Sequence, residues 1–262
     1  MKLTEEKNLS RWFKDYAAAF AGKSGRLAPM LQLKLDHSRR VSAIAAGIAS
    51  ELGFAPNDVR AARMLGLLHD VARFSQFERH RTFRDELSFN HGARGAAIMQ
   101  KCAALSACSP ADIRRIIAGI RHHNRACLPA RLPAPELEFV KIARDADKMD
   151  IFYVLYDSWK SGALRRSPEI ALMVNLDGGI NPGALAELRR SGRVSVANIR
   201  SLADFFLLQL SWVYDLNFRP SYRLLARRAV IDRLAEVLPS TPAILREISR
   251  AREYARRRAR PG

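Results

Sequence analysis

The sequence has no stretch able to cross a membrane and almost nothing that would pair as a sheet. Its longest apolar run, Phe205 to Tyr214, is broken by Gln209 and Ser211 and is shorter than the roughly 20 residues a spanning helix needs. The opening segment, MKLTEEKNLS, carries acids and no apolar core, so no signal peptide is expected. Cysteine is scarce. Cys102, Cys108 and Cys127 form no CxxC pair, and their odd number argues against a disulfide framework and for a reducing, cytoplasmic setting. Low charge and low hydrophobicity are both absent: 48% of the 262 residues are hydrophobic and 27% charged, which excludes a disordered chain and permits a sizeable core.

Acidic residues are in deficit. Against 44 Lys and Arg stand 26 Asp and Glu, a net charge of +18, which suits anionic partners such as phosphorylated metabolites or nucleic acid. Part of the excess is local. The final seventeen residues, REISRAREYARRRARPG, carry seven arginines and two glutamates. Such a tail reads either as a solvated helix or as a weak contact for nucleic acid or another polyanion, with no sequence-specific motif and no membrane partner.

What the sequence does contain is helical periodicity. Apolar residues recur at three- and four-residue steps in Val41, Ile44, Ile48 and Leu52, and in Ile113, Ile116, Ile117 and Ile120. Ser109-Pro110 reads as a cap and first turn for the second stripe. Pro129 to Pro135 reads as a loop before a long helix over about 136–158, and 161–180 as a connection with little regular structure. Helices are predicted around 198–215, 222–238 and 242–258. The expectation is an all-α chain in three parts. Residues 1–29 form a helix packing on the core, 30–160 a helical core domain, and 161–262 a helical extension.

Ionisable residues lie on several of these apolar faces. His37 precedes Val41, Ile44 and Ile48 on one stripe, and His123 continues Ile116 and Ile120. Asp147 shares a face with Val140, Ala143, Ile151 and Val154. His69 is followed directly by Asp70. A buried carboxylate is costly unless a cation or donors compensate it, so inward imidazoles and carboxylates on separate helices suggest one divalent-metal centre. Asp145, near a second apolar line through Ile142, Met149 and Phe152, is the alternative to Asp147.

The order His37, His69-Asp70, Asp147 resembles the H…HD…D signature of the HD-domain superfamily of metal-dependent phosphohydrolases. LLHDVARF, FNHGARGAAIM and RDADKMDIF resemble its segments around the doublet, the next histidine and the closing aspartate. The likeness covers about 30–158. It implies an all-α helical bundle in which His37, His69, Asp70 and Asp147 hold a metal. It also implies that His91 and the pair His122-His123 serve either a second metal bridged by Asp70 or the substrate phosphate. Asp150 is implied as an outer carboxylate or a packing partner. Two features depart from the related HD-GYP pattern: Leu33 stands where that pattern has a glutamate, and no GYP triplet occurs. The resemblance implies hydrolysis of a small phosphorylated substrate, a nucleotide first among them. Asp70 and Arg73 are then the catalytic pair, with Arg73, Lys148, Arg81 and Arg84 contacting phosphate. One or two Mn, Fe, Ni, Co or Zn ions suit the imidazole–carboxylate set better than Mg. The same ligands would also permit a diiron oxygenase, and a metal-free binding module is the third reading.

Overall fold

The computed structural model describes residues 1–260, so Pro261 and Gly262 of the arginine-rich tail lie outside the described residues. No β-strand occurs among them; a single isolated bridge joins Asn175 and Ser201. The chain is all-α, and its contacts divide it into two compact units, Met1–Asp150 and Ile151 onward.

The first unit contains α1 (Leu3–Ala18), α2 (Pro29–Glu51), α3 (Pro56–Leu68), α4 (Ala72–His80), α5 (His91–Gln100), α6 (Ala103–Ser106), α7 (Pro110–His122) and the larger part of α8 (Ala134–Lys160). Proline at the first turn starts α2, α3 and α7, where its missing N–H would be unpaired anyway. Ser109 caps α7 by accepting the Asp112 N–H at 3.2 Å. The periodic apolar residues face inward: Val41, Ile48, Leu65, Leu68, Ile116, Ile120, Val140 and Met149 are all at most 2% exposed. Each such side chain contributes about 1.5–3 kcal/mol on leaving water.

The contact that positions the site is α2 against α3. A Cβ added at Gly66 would lie 2.8 Å from both Ser42 Cα and Val41 O, so the two helix backbones meet where no side chain fits. That approach brings His37 of α2 against His69, which ends α3. Phe13, Tyr16 and Phe20 close around Phe74 of α4 from the N-terminal side, with ring centroids 5.6–6.0 Å apart.

The second unit holds the end of α8 with α9 (Ala163–Arg166), α10 (Pro182–Ser191), α11 (Leu202–Trp212), α12 (Arg219–Arg227), α13 (Val230–Val237) and α14 (Pro242–Ala259). Phe206, Leu207 and Leu210 of α11 are fully buried, and Tyr222 donates its hydroxyl to the carbonyls of Val213 and Leu216 at 3.1 and 2.9 Å. The stretch 161–180 holds only the short α9 and a 3₁₀ turn over Pro168–Ala171, in keeping with the little regular structure expected there. Two later elements differ from the sequence expectation. The helix expected from 198 begins at Leu202, because Ser201 and Asp204 form a capping box there. The single helix expected over 222–238 is two, broken at Ala229, whose φ is +49°.

Candidate metal centre

Four imidazoles and two carboxylates converge in the first unit, delivered by the ends or inner faces of α2, α3, α5, α7 and α8. His37, His69, Asp70, His91 and His123 are each no more than 5% exposed. His69 and Asp70 sit in the turn that separates α3 from α4, so the two adjacent side chains point into the same space from a break in the helix.

Every histidine of this set has its Nδ1 committed elsewhere. His69 Nδ1 is 2.8 Å from Gly66 O and His123 Nδ1 2.8 Å from Ile120 O. His37 Nδ1 is 2.7 Å from Asp150 Oδ2, and His91 Nδ1 is 2.7 and 2.9 Å from the two oxygens of Asp85. Carbonyls and carboxylates only accept, so each Nδ1 carries the proton and each Nε2 of a neutral ring presents a lone pair.

Those Nε2 atoms face each other and the oxygens of Asp70. His37 and His69 Nε2 are 3.2 Å apart, and both lie 3.6 Å from Asp70 Oδ2. Asp147 Oδ1 completes this half at 3.1 Å from His37 and 3.5 Å from His69. On the other side, His91 and His123 Nε2 are 3.0 Å apart and lie 3.5 and 3.7 Å from Asp70 Oδ1. Donors bonded to one ion at about 2.0–2.2 Å stand about 3.0–3.5 Å from one another. The spacings in both halves therefore fit a shared cation, and lone pairs opposed at such distances have no favourable arrangement without one. Three groups could hold an ion: His37–His69–Asp70, His69–His123–Asp147 and Asp70–His91–His123.

Charge is arranged to match. Burial would raise the Asp70 carboxyl, but the Lys34 ammonium first, then His69, His123 and Arg73, hold it well below the usual carboxylate range. Lys34 Nζ is 2.8 Å from Asp70 Oδ2, and Arg73 Nε is 3.4 Å from Oδ1. Both cations lie over one ring, that of Phe83, at 5.1 and 5.6 Å from its centroid. For His37, burial and Lys34 push the imidazole down, but Asp147 and Asp150 outweigh them and hold it above its ordinary value. His91 is driven down to about 3, by burial first and then by Arg73.

Of the residues singled out from sequence, the structure brings together His37, His69, Asp70, His91, His123 and Asp147, with Arg73 at the rim. Asp147 rather than Asp145 faces the histidines; Asp145 is also buried, but projects about 200° round the same helix. His122 ends α7 outside the cluster, its Nδ1 buried without a hydrogen-bond partner. Lys148 is largely buried beside Asp147 on α8. Arg81 and Arg84 face the surface instead, Arg81 over the Phe77 ring and Arg84 within 4.0 Å of Glu86. Arg73 is mostly committed: its Nη1 reaches Gln76 Oε1, Phe83 O and Asp85 Oδ1 at 2.6, 2.6 and 3.0 Å.

Two residues of the site escape sequence reading. Lys34 looks like one more basic residue on an amphipathic helix, and its spacing of three before His37 is the only available hint. Asp85 lies in a basic loop, yet it receives His91, Arg73, Gln76 and Asn124 together.

The HD domain family matches residues 35–151. Over that segment, a little under half of the chain, the protein resembles an HD domain. Its signature residues His37, His69, Asp70 and Asp147 are the ones the fold has gathered, and metal-dependent hydrolysis is general in that family. No curated protein and no solved structure matches the chain. No helix among the described residues is long and apolar enough to cross a membrane.

Proposed function

We propose that this HD-like segment hydrolyses a phosphoester of a small phosphorylated metabolite, with nucleotides as the leading class, at a centre of two divalent ions that share Asp70. The carrying observation is the division of labour at that carboxylate, with one oxygen among His37, His69 and Asp147 and the other between His91 and His123. Imidazole and carboxylate donors suit Mn, Fe, Co, Ni or Zn over Mg. When bound, such ions supply Lewis acidity toward a phosphoryl oxygen and make water a competent nucleophile near neutral pH.

The chain's own residues do the rest. Asp150 and Asp85 fix the tautomer and ring plane of His37 and His91, as outer-shell carboxylates do. Lys34 and Arg73 flank Asp70 as fixed cations, placed to meet the negative charge that builds on phosphoryl oxygens during transfer. Phe83 holds both at the rim with its ring. Lys148 is the further candidate for a phosphate contact, by its place beside Asp147. The substrate class is supported by the net charge of +18 and by the family.

The test is metal content per chain on protein purified without a chelating column, followed by assay against nucleoside mono-, di- and triphosphates. Two equivalents with turnover, and loss of both metal and turnover in Asp70→Ala at unchanged helical content, are expected. Full turnover by Asp70→Ala would refute the mechanism.

A further inference from the structure

In the second unit, α12, α13 and α14 enclose an open groove of about 420 Å³. Its floor is apolar, formed by Leu225, Val230 and Ile231, each at most 6% exposed. Arg252 and Arg256, one turn apart on α14, and Arg260, which directly follows the helix, also line it. Arg252 is already paired with Asp232 at 2.8 Å. Arg256 and Arg260 have no hydrogen bond or ion pair among the described residues. Ala229, the left-handed residue between α12 and α13 (φ +49°), also lines the groove.

The lining selects a ligand class, with an apolar floor beside two arginines. A volume of this size with apolar walls and a few fixed polar groups is that of a small-molecule site. The head group follows from the cations. A carboxylate is satisfied by one guanidinium, whereas two guanidiniums on one groove suit the three oxygens of a phosphate dianion. We propose that this groove binds an amphiphile bearing a phosphate head, its chain over Leu225, Val230 and Ile231 and its phosphate between Arg256 and Arg260.

The experiment is calorimetric titration of the full chain, stripped of metal and kept in chelator, with alkyl phosphates from butyl to decyl below their micelle concentrations. Each added methylene should tighten binding about fourfold until the groove is filled, after which affinity levels off. Arg256→Gln/Arg260→Gln should weaken the best binder at least tenfold. Arg246→Gln, at an exposed position of the same helix outside the groove, should change nothing. Ala226→Trp, which fills the groove from an exposed position on α12, should remove the chain-length dependence and leave the weak binding of the shortest phosphate. Affinity independent of chain length would overturn the proposal, because any exposed arginine attracts phosphate. So would full binding in Arg256→Gln/Arg260→Gln, or tight binding of an acidic amphipathic peptide in the groove with none of the alkyl phosphates.

Discussion

Asp150→Asn is the most informative single change at the metal centre. The carboxylate is 1% exposed on its side chain and holds His37 Nδ1 at 2.7 Å, while Arg40 contacts its two oxygens at 2.7 and 3.0 Å. The amide is nearly isosteric, so packing is kept and only charge and proton direction change. Arg40 is more than a third exposed and stays solvated without the carboxylate, so the cost to folding is about 1 kcal/mol or less. The cost to the centre is larger. An outer-shell acceptor on a ligating imidazole is worth about 10–100-fold in metal affinity, or about 1.4–2.7 kcal/mol. An amide turned with its NH₂ toward His37 would also force the proton onto Nε2 and block the lone pair. The loss should fall on one ion alone, because His91 takes its orientation from Asp85. Asp85→Asn is the mirror experiment and should weaken the other ion. Chelator competition with metal analysis reads both constants. If Asp150→Asn leaves both affinities within about twofold of the parent, the reasoning that outer carboxylates hold this centre fails.

Four further outcomes are expected. Lys34→Met and Arg73→Ala should each lower kcat/KM by about 10–100-fold with metal content retained, since both flank Asp70 as fixed cations; parent kinetics would remove either from the site. His123→Ala should cost one equivalent of metal and His122→Ala none, and the reverse result would exchange their roles. Gly66→Ala should destabilise the chain by about 1–3 kcal/mol in chemical denaturation, because the new methyl meets backbone on α2; an unchanged midpoint would mean the helices separate freely. Acid should weaken the metal-free fold through His91. Its pKa is depressed to about 3 in the folded state, so below the ordinary 6.5 the unfolded chain takes up a proton that the folded chain does not. Between pH 7 and pH 5 this removes about 2 kcal/mol. His37, raised in the fold, works in the opposite sense, so the comparison of parent with His91→Gln isolates the contribution. Equal losses in both proteins would count against it.

The helical plan and the inner ligands were legible because both obey short-range rules. His37 shares a stripe with Val41, Ile44 and Ile48, and burial of that stripe carries the imidazole inward. Asp145 and Asp147, with only Ala146 between them, each lie on an apolar line of α8, so the sequence leaves both open and tertiary packing decides which one meets the histidines. Lys34 and Asp85 were not legible, because their roles are set by charges that tertiary packing brings near. The ammonium of Lys34 finds its partner 36 positions away, and no local pattern encodes that. The break at Ala229 was hidden for a different reason. Neither glycine nor proline marks it, and the apolar period continues unbroken through the turn.

The two ways of holding Nδ1 have a consequence for how the centre matures. His69 and His123 are tied to carbonyls three residues back, so their orientation is complete as soon as α3 and α7 exist. His37 waits for Asp150, 113 residues downstream. Contacts that close so long a loop form late, after the entropy of closure has been met. His91, held by Asp85 only six residues before it, is also set locally, so during folding it is His37 alone that is still turning. A chain interrupted before α8 would hold His37, His69 and Asp70 without Asp147 and with His37 unoriented, and would take up the first metal loosely. Firm retention of the first metal thus reports that the chain has folded through residue 150.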